Sequence, residues 1–352
     1  HLSRDAVHAL YGGAVTLSAS RMDMARSCHF AYFMRYGLKA RERTGAGFDA
    51  PQIGTFVHDV MEHTLRQAKE CGGLHTLSKD KLHALVRASI EEYIDRVLPD
   101  LCEKSARFRY LFNRLCATVE HIMDEVSEEL QSSDFEPLAF ELEFGADGQL
   151  PAITIREENG TARVVGKVDR VDGWLHDGKL YLRVVDYKTG KKSFDLAELR
   201  YGLGLQMLLY LFTLKEEGQM LFGGHEIVPA GVLYTPAREP MLRCARDTEP
   251  EKIEKALKKE LRRSGMVLED PAVLRAMEHS ALESPCYLPI AVKRDGAVTG
   301  SLASAEQLGK LSKYVDHILH EITQEVFAGN IDADPYARTP QQSACTYCEF
   351  AS

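Results

Sequence analysis

The chain has 352 residues, 45% of them hydrophobic and 27% charged, which is ample apolar material for a packed core and an ordinary soluble composition. With 43 basic against 52 acidic residues, the net charge of −9 argues against a uniformly basic nucleic-acid coat, while clustered carboxylates remain suited to divalent metal. No apolar run reaches the roughly 18–20 residues of a membrane span, the opening HLSRDAVHAL has no signal-peptide stretch, and the eight cysteines lack the density of a secreted disulfide scaffold.

The N-terminal third reads as helical. Ser20 is placed to cap a helix running to about Tyr36, with Gly37 as its stop. Ile53, Phe56, Val57, Val60, Met61, Leu65 and Ala68 recur at helical spacing, and Gly72-Gly73 closes that element. Two further helical stretches are expected at about 79–98 and 107–130. The period changes near Glu136, where PLAFELEFG alternates as a strand does. Residues 163–171 and 179–187 form two β-rich runs separated by the turn-like WLHDG. Residues 195–214 return to helix and 226–234 to strand. The remainder reads as mainly helical, with a long helix at about 304–327 and an irregular tail. This order predicts an α/β fold, a mixed sheet flanked by helices. The expected divisions are 1–50, an N-terminal helical segment carrying Cys28; 51–240, a catalytic core; and 241–352, a C-terminal helical segment and tail. Gly45–Pro51 is the expected linker. The missing initiator Met suggests a domain excised from a longer chain, and the cysteine usage suggests the reducing cytoplasm.

Two segments carry chemistry. VVGKVDRVDGW holds Asp169 and Asp172, and YLRVVDYKTGKK holds Asp186 and Lys188. On a strand, residues i and i+2 share a face, so Asp186 and Lys188 point into one site. If the two runs pair as a hairpin, Asp169 comes beside Asp186, and a cation between the carboxylates relieves their repulsion. A hard divalent metal and a nearby lysine are what phosphodiester hydrolysis needs. Taken alone, D-x-K is commonly a strand-end ion pair; the upstream GKVDRVD and the apolar run before each acid favour the site. His58, in GTFVHDVMEH, lies just off the apolar stripe of its helix, a structural histidine or a metal ligand. Gln206 and Tyr210 share a helical face in YGLGLQMLLYL, and Gln206 interrupts an apolar stretch.

Taken in order, GTFVH, GKVDRVD, VVDYKTGKK and Gln206-x-x-x-Tyr210 resemble the motif series of RecB-type nucleases in the PD-(D/E)XK superfamily. The resemblance implies a restriction-endonuclease-like core and an exonuclease acting on DNA. It implies Asp169, Asp186 and Lys188 as catalytic residues, and Mg2+ or Mn2+ held by His58, Asp169, Asp186 and the Tyr187 carbonyl. Gln206 and Tyr210 would contact nucleic acid, and Lys191 and Lys192 add a short basic track. Glu143, on the preceding strand, is a weaker candidate for tuning the site.

Cys345-Thr-Tyr-Cys348 is a CxxC, by itself half a zinc site, a redox pair or nothing. Paired with Cys28 in SASRMDMARSCHFAYFMRYGL, it resembles the iron–sulfur staple of AddB-type nuclease domains, and the surrounding text resembles them over nearly the whole chain. That resemblance implies a 4Fe–4S cluster in the parent protein, held in part by Cys28, Cys345 and Cys348. It also implies single-stranded DNA and an AddA-type helicase-nuclease subunit as partners, in the processing of double-strand breaks for recombinational repair, with no membrane involved. The family pattern has a fourth cysteine that this chain lacks, which weighs against a cluster in this fragment. The rival readings are a stand-alone RecB-like exonuclease and an inactive nuclease-fold scaffold; no Walker A loop is present to give the chain its own ATPase.

Overall fold

The computed structural model describes every residue except 41–49, 146–147, 191–192, 241, 243, 246–247, 340 and 352. The expected linker at 45–51 thus lies almost wholly outside the described residues. The N-terminal third contains α1 (Arg4–Tyr11), strand β1 (Ala14–Leu17), α2 (Ala19–Ser27), α3 (His29–Tyr32), α4 (Ala50–Glu70), α5 (Lys79–Val97) and α6 (Ala106–Gln131). The first expected helix differs in two respects. Its cap is Ser18, whose Oγ accepts the Arg21 N–H at 3.4 Å, rather than Ser20. It also breaks at Cys28, which adopts extended backbone (φ −172°, ψ 121°) between α2 and α3. The apolar stripe of α4 is fully legible in the packing: Phe56, Val57, Val60 and Met61 are all at 0% exposure. The Phe56 ring meets Tyr93 of α5 at 4.9 Å and Phe112 of α6 at 5.0 Å. Burial of each such side chain contributes about 1.5–3 kcal/mol.

The rest of the chain contains β2 (Glu136–Phe144), β3 (Ile153–Glu157), β4 (Gly160–Val164), β5 (Gly166–His176), β6 (Lys179–Lys188), α7 (Leu196–Leu199), α8 (Gln206–Glu217) and β7 (Glu226–Pro236). It continues through α9 (Pro250–Leu261), β8 (Ser264–Leu268), α10 (Pro271–Met277), β9 (Ile290–Val292), β10 (Val298–Gly300), β11 (Leu302–Ala303), α11 (Ala305–Phe327), β12 (Ala337–Thr339) and β13 (Gln342–Ser343). Six strands form the main sheet in the order β11-β8-β7-β6-β5-β2. β5 pairs antiparallel with both β2 and β6, while β6 and β7 are parallel, joined by the α7–α8 crossover. The hairpin between β5 and β6 turns on Asp177 and Gly178, both at positive φ (49° and 76°), the conformation a two-residue hairpin turn favours.

Three features depart from the sequence reading. The single helix expected over 195–214 is interrupted, because Gly202 and Gly204 adopt φ of 78° and 67° and only Gln206–Glu217 is continuous. The C-terminal part, expected to be mainly helical, supplies β8 and β11 to the main sheet. A second sheet, β1-β4-β3, joins the N-terminal segment to the core through the parallel β1–β4 pair. Among the described residues, most of the buried apolar side chains form one cluster reaching from Val7 to Phe327. Among the described residues, no helix is long and apolar enough to cross a membrane.

Beneath β5 and β6 lies a buried ionic network. Arg170 and Arg183 both reach Asp172, through Arg170 Nη2 at 2.9 Å and Arg183 Nε at 2.8 Å. Arg263 grips Glu129 of α6 at 2.6 Å, and Arg170 Nη1 donates to the Tyr187 hydroxyl at 2.6 Å. Tyr187 is thereby anchored by its side chain to the same network, with its backbone left free to serve the opposite role described next.

Candidate active site

The β5–β6 register sets Arg170 opposite Val185, which brings Asp169 alongside Asp186 and Tyr187. The Tyr187 N–H donates to Asp169 Oδ2 at 2.7 Å. Both acids are nearly sealed from water, at 8% exposure for Asp169 and 4% for Asp186. Lys188 Nζ lies 2.6 Å from Asp186 Oδ2, the contact that i, i+2 geometry on one strand predicts. From α4, His58 reaches the same spot. Its Nε2 donates to the Tyr187 carbonyl at 2.9 Å, and its Nδ1 lies 3.3 Å from Asp169 Oδ1.

Burial and mutual charge perturb the groups of the site. Burial, then the neighbouring Asp169, push the Asp186 pKa up to about 6, against the opposing pull of Lys188. Burial pulls His58 down, but Asp169, the Tyr187 carbonyl and Asp186 outweigh it and leave its pKa raised. Part of each shift comes from the neighbouring carboxylates, whose charge a bound cation would offset.

Glu141 completes the cluster, and the sequence reading missed it. In β2, Phe140 pairs with Arg170 and Leu142 with Val168, so Glu141 stands opposite Asp169. It adopts a positive φ of 48°, uncommon for a residue with a side chain. Burial raises its pKa, with Asp169 adding to the rise and the paired Lys167 ammonium opposing it. His58, Glu141 and Asp169 offer ligand atoms that all lie within 4.8 Å of one another, one nitrogen and two carboxylate oxygens. Such a donor set fits a divalent cation. Glu143, the acid singled out from sequence, is exposed and stands opposite Lys167. Strand alternation gives Glu141 and Glu143 equal standing; only the β2–β5 register separates them.

Gln206 and Tyr210 are brought together, with Gln206 Nε2 donating to the Tyr210 hydroxyl at 3.4 Å. Tyr210 is 3% exposed and stacks on Phe144 at 5.1 Å, so its ring has no free face for a base. Its hydroxyl sits where a Cβ on Gly166 would intrude at 1.9 Å, which explains the glycine that opens β5. Gln206, partly exposed, is the member of the pair that reaches the surface. Lys191 and Lys192 lie outside the described residues.

The three motif cysteines are free thiols, Cys28 and Cys348 half-buried and Cys345 exposed. The tail that carries the CxxC runs beside the helices flanking Cys28. The Tyr336 N–H donates to the Ser27 carbonyl at 2.7 Å, and the Phe30 N–H to the Asp332 carbonyl at 3.0 Å. His29 meets Asp334 at 2.7 Å and Arg35 meets Glu349 at 2.9 Å.

A family model described as the PD-(D/E)XK nuclease superfamily matches residues 16–352. The chain is 34% identical over 353 residues to a subunit of the ATP-dependent helicase/deoxyribonuclease of Acetivibrio thermocellus, an alignment covering 99% of this chain and 31% of that protein. It is 33% identical to the protein of the same name in Caldanaerobacter subterraneus subsp. tengcongensis, over 97% of this chain and 30% of that one. It is 32% identical to the one in Ruminiclostridium cellulolyticum, over 100% of this chain and 31% of the relative. The chain therefore spans about a third of the length of the curated relatives it matches.

Proposed function

The chain belongs to the PD-(D/E)XK nuclease superfamily, and from that premise we propose that it is a divalent-metal-dependent deoxyribonuclease, cutting single-stranded DNA within a helicase-nuclease. The observation that carries this reading is the cluster of His58, Glu141 and Asp169 donors, with the Tyr187 carbonyl bonded to His58 and Asp186 beside Lys188 on the adjoining strand. Asp169, Asp186, His58 and the Tyr187 carbonyl are the proposed metal donors, with Glu141 as a further carboxylate. A bound Mg2+ or Mn2+ would polarise the scissile phosphate and acidify a water. The chain's own groups do the rest. Lys188, held at 2.6 Å by Asp186, presents its remaining ammonium protons to orient the attacking water and to meet charge developing on the phosphate. His58, fixed between the Tyr187 carbonyl and Asp169, cannot rotate away. Arg170 holds the Tyr187 ring from below, so the carbonyl keeps its aim. Gln206, braced by Tyr210, opens α8 as a contact for the substrate, and Lys191 and Lys192 follow β6 in sequence.

The named relatives are subunits of an ATP-dependent helicase/deoxyribonuclease. We place this chain in the same setting, in the cytoplasm, receiving a strand from an AddA-type helicase subunit. A net charge of −9 gives little long-range attraction for DNA, and a tethered motor supplies high local concentration instead. We also read Cys28, Cys345 and Cys348 as iron–sulfur ligands in the longer protein, which the packing of the tail along α2 and α3 supports. The test of the nuclease reading is a cleavage time course on end-labelled single-stranded DNA. Cutting with magnesium, its loss in excess chelator and its return with added metal support the reading. Cutting undiminished by chelator contradicts it.

A further inference from the structure

The path of the nucleic acid away from the site is unassigned, and one adjoining surface has the chemistry to hold it. Residues 106–118 at the start of α6 read ARFRYLFNRLCAT, with Arg107, Arg109 and Arg114 and no acidic residue, in a chain of net charge −9. Among the described residues no ion pair engages Arg107 or Arg109, and Arg114 meets the exposed Glu239 at 3.2 Å. Arg107 and Arg114 rim a groove of about 480 Å3 whose floor includes Ile53, Leu111 and Leu115. Tyr110 and Leu111 stand 62% and 52% exposed beside it, large apolar surface on a first stretch of helix whose own charges, Arg107, Arg109 and Arg114, are all positive.

Two elements link this groove to the active site, α4 and the chain that leaves β7. Ile53 lies five residues before His58 on α4, about 7–8 Å along the helix axis. At the end of β7, the Ala237 N–H donates to the Lys188 carbonyl at 2.9 Å. The next residue, Arg238, lines a second cavity of about 370 Å3 together with Lys188 and Arg262. Arg238 Nε is buried without a hydrogen-bond partner, while its Nη2 lies 3.5 Å from Glu260. Glu239 then hands the path to Arg114.

We propose that a single nucleic-acid strand runs from Lys188 past Arg238 into the α6 groove, its phosphates on Arg238, Arg114 and Arg107 and its unstacked bases over the apolar floor. The inference rests on the nuclease reading of the site. A single strand is the occupant because its base faces are free to lie on apolar and aromatic side chains, whereas a duplex keeps them stacked inside. Guanidinium groups suit phosphate oxygens, which they bind in a bidentate fork.

The test is fluorescence anisotropy of labelled oligo(dT) with the 352-residue chain in chelator, so that binding is read without cleavage. Arg107→Ala/Arg114→Ala removes two phosphate contacts from exposed positions and leaves the core untouched. Each contact contributes about 0.7 to the slope of log K against log salt for a single strand. The slope should therefore fall by about 1.4, so that the loss of affinity between 50 and 200 mM salt shrinks roughly sevenfold. Leu111→Glu, a negative charge at the lip, should weaken binding of oligo(dT) and leave the melting temperature within a few degrees of wild type. Unchanged affinity and slope in both variants overturn the path. So does a concentration-dependent dimer of the wild type that Leu111→Glu dissolves, since the groove then serves a second copy. A wild-type chain that binds through the groove yet fails to cut with magnesium separates failure of the nuclease reading from failure of this one.

Discussion

His58 and Tyr187 stand 129 residues apart and meet at 2.9 Å, imidazole Nε2 to backbone carbonyl. The contact joins the helical N-terminal layer to β6, and it makes the positions of two proposed metal donors depend on each other. Removing an outer partner of a metal site costs 10–100-fold in affinity or activity, and a direct donor is worth at least the upper part of that range. His58→Ala should therefore raise the magnesium concentration for half-maximal cleavage by about a hundredfold, with the far-ultraviolet dichroism unchanged. A variant with wild-type metal dependence would remove His58 from the site.

Glu141 and Glu143 make a paired comparison. Glu141 lies within 4.8 Å of the His58 and Asp169 donors, while Glu143 is exposed. Glu141→Gln should lower cleavage by roughly tenfold or more and weaken the response to metal. Glu143→Gln should stay within about twofold of wild type, as surface substitutions usually do. The reverse ranking in parallel magnesium titrations would mean that the β2–β5 register is misassigned.

The same pair shows where sequence legibility ends. The D-x-K triplet, the Asp-Gly hairpin turn and the apolar stripe of α4 are local patterns, and each appears where periodicity puts it. Which acid of β2 faces Asp169 is a property of two strands, and no local pattern contains it. β1 and β8 are only four and five residues long, too short for alternation to stand out between helices. The break at Cys28 also eludes a propensity reading, because the residues on both sides of it do form helix. Helical spacing likewise set Tyr210 beside Gln206 but did not reveal that Phe144 and Gly166 enclose its ring and hydroxyl.

Gly166→Ala tests that enclosure. A Cβ there would stand 1.9 Å from the Tyr210 hydroxyl, far inside contact distance. The ring must move, and overpacking of this kind costs about 1–3 kcal/mol. Chemical denaturation should show a midpoint shift of that size with an unchanged slope, and cleavage should fall as Gln206 loses its brace. A stability equal to wild type would mean that the Tyr210 pocket yields freely.

Glu129 predicts an acid-labile core. Burial pushes its pKa up, but Arg263, Arg183 and Arg170 overcome that and hold it lowered from 4.5 to about 2. A carboxylate with a depressed folded pKa stabilises the fold above its unfolded pKa and loses that contribution as pH falls through the folded value. The contribution, on the order of 3 kcal/mol, should be complete above about pH 5 and decline between about pH 4.5 and 2. Urea melts at stepped pH should show this decline. In Glu129→Gln the decline should be shallower and the stability at pH 7 lower, because Arg263 is left buried without its counter-charge. Identical pH profiles for the two proteins would contradict the role of the network.

The most direct measurement is single-turnover cleavage of labelled single-stranded DNA by wild type and Asp186→Asn side by side, across a magnesium titration. The substitution keeps the volume of a side chain only 4% exposed and removes its charge, the proposed metal ligand and the partner of Lys188. The account predicts magnesium-dependent cutting by the wild type, and a loss of at least about a thousandfold in the variant with its melting curve intact. Cleavage by Asp186→Asn at the wild-type rate and metal dependence would contradict it.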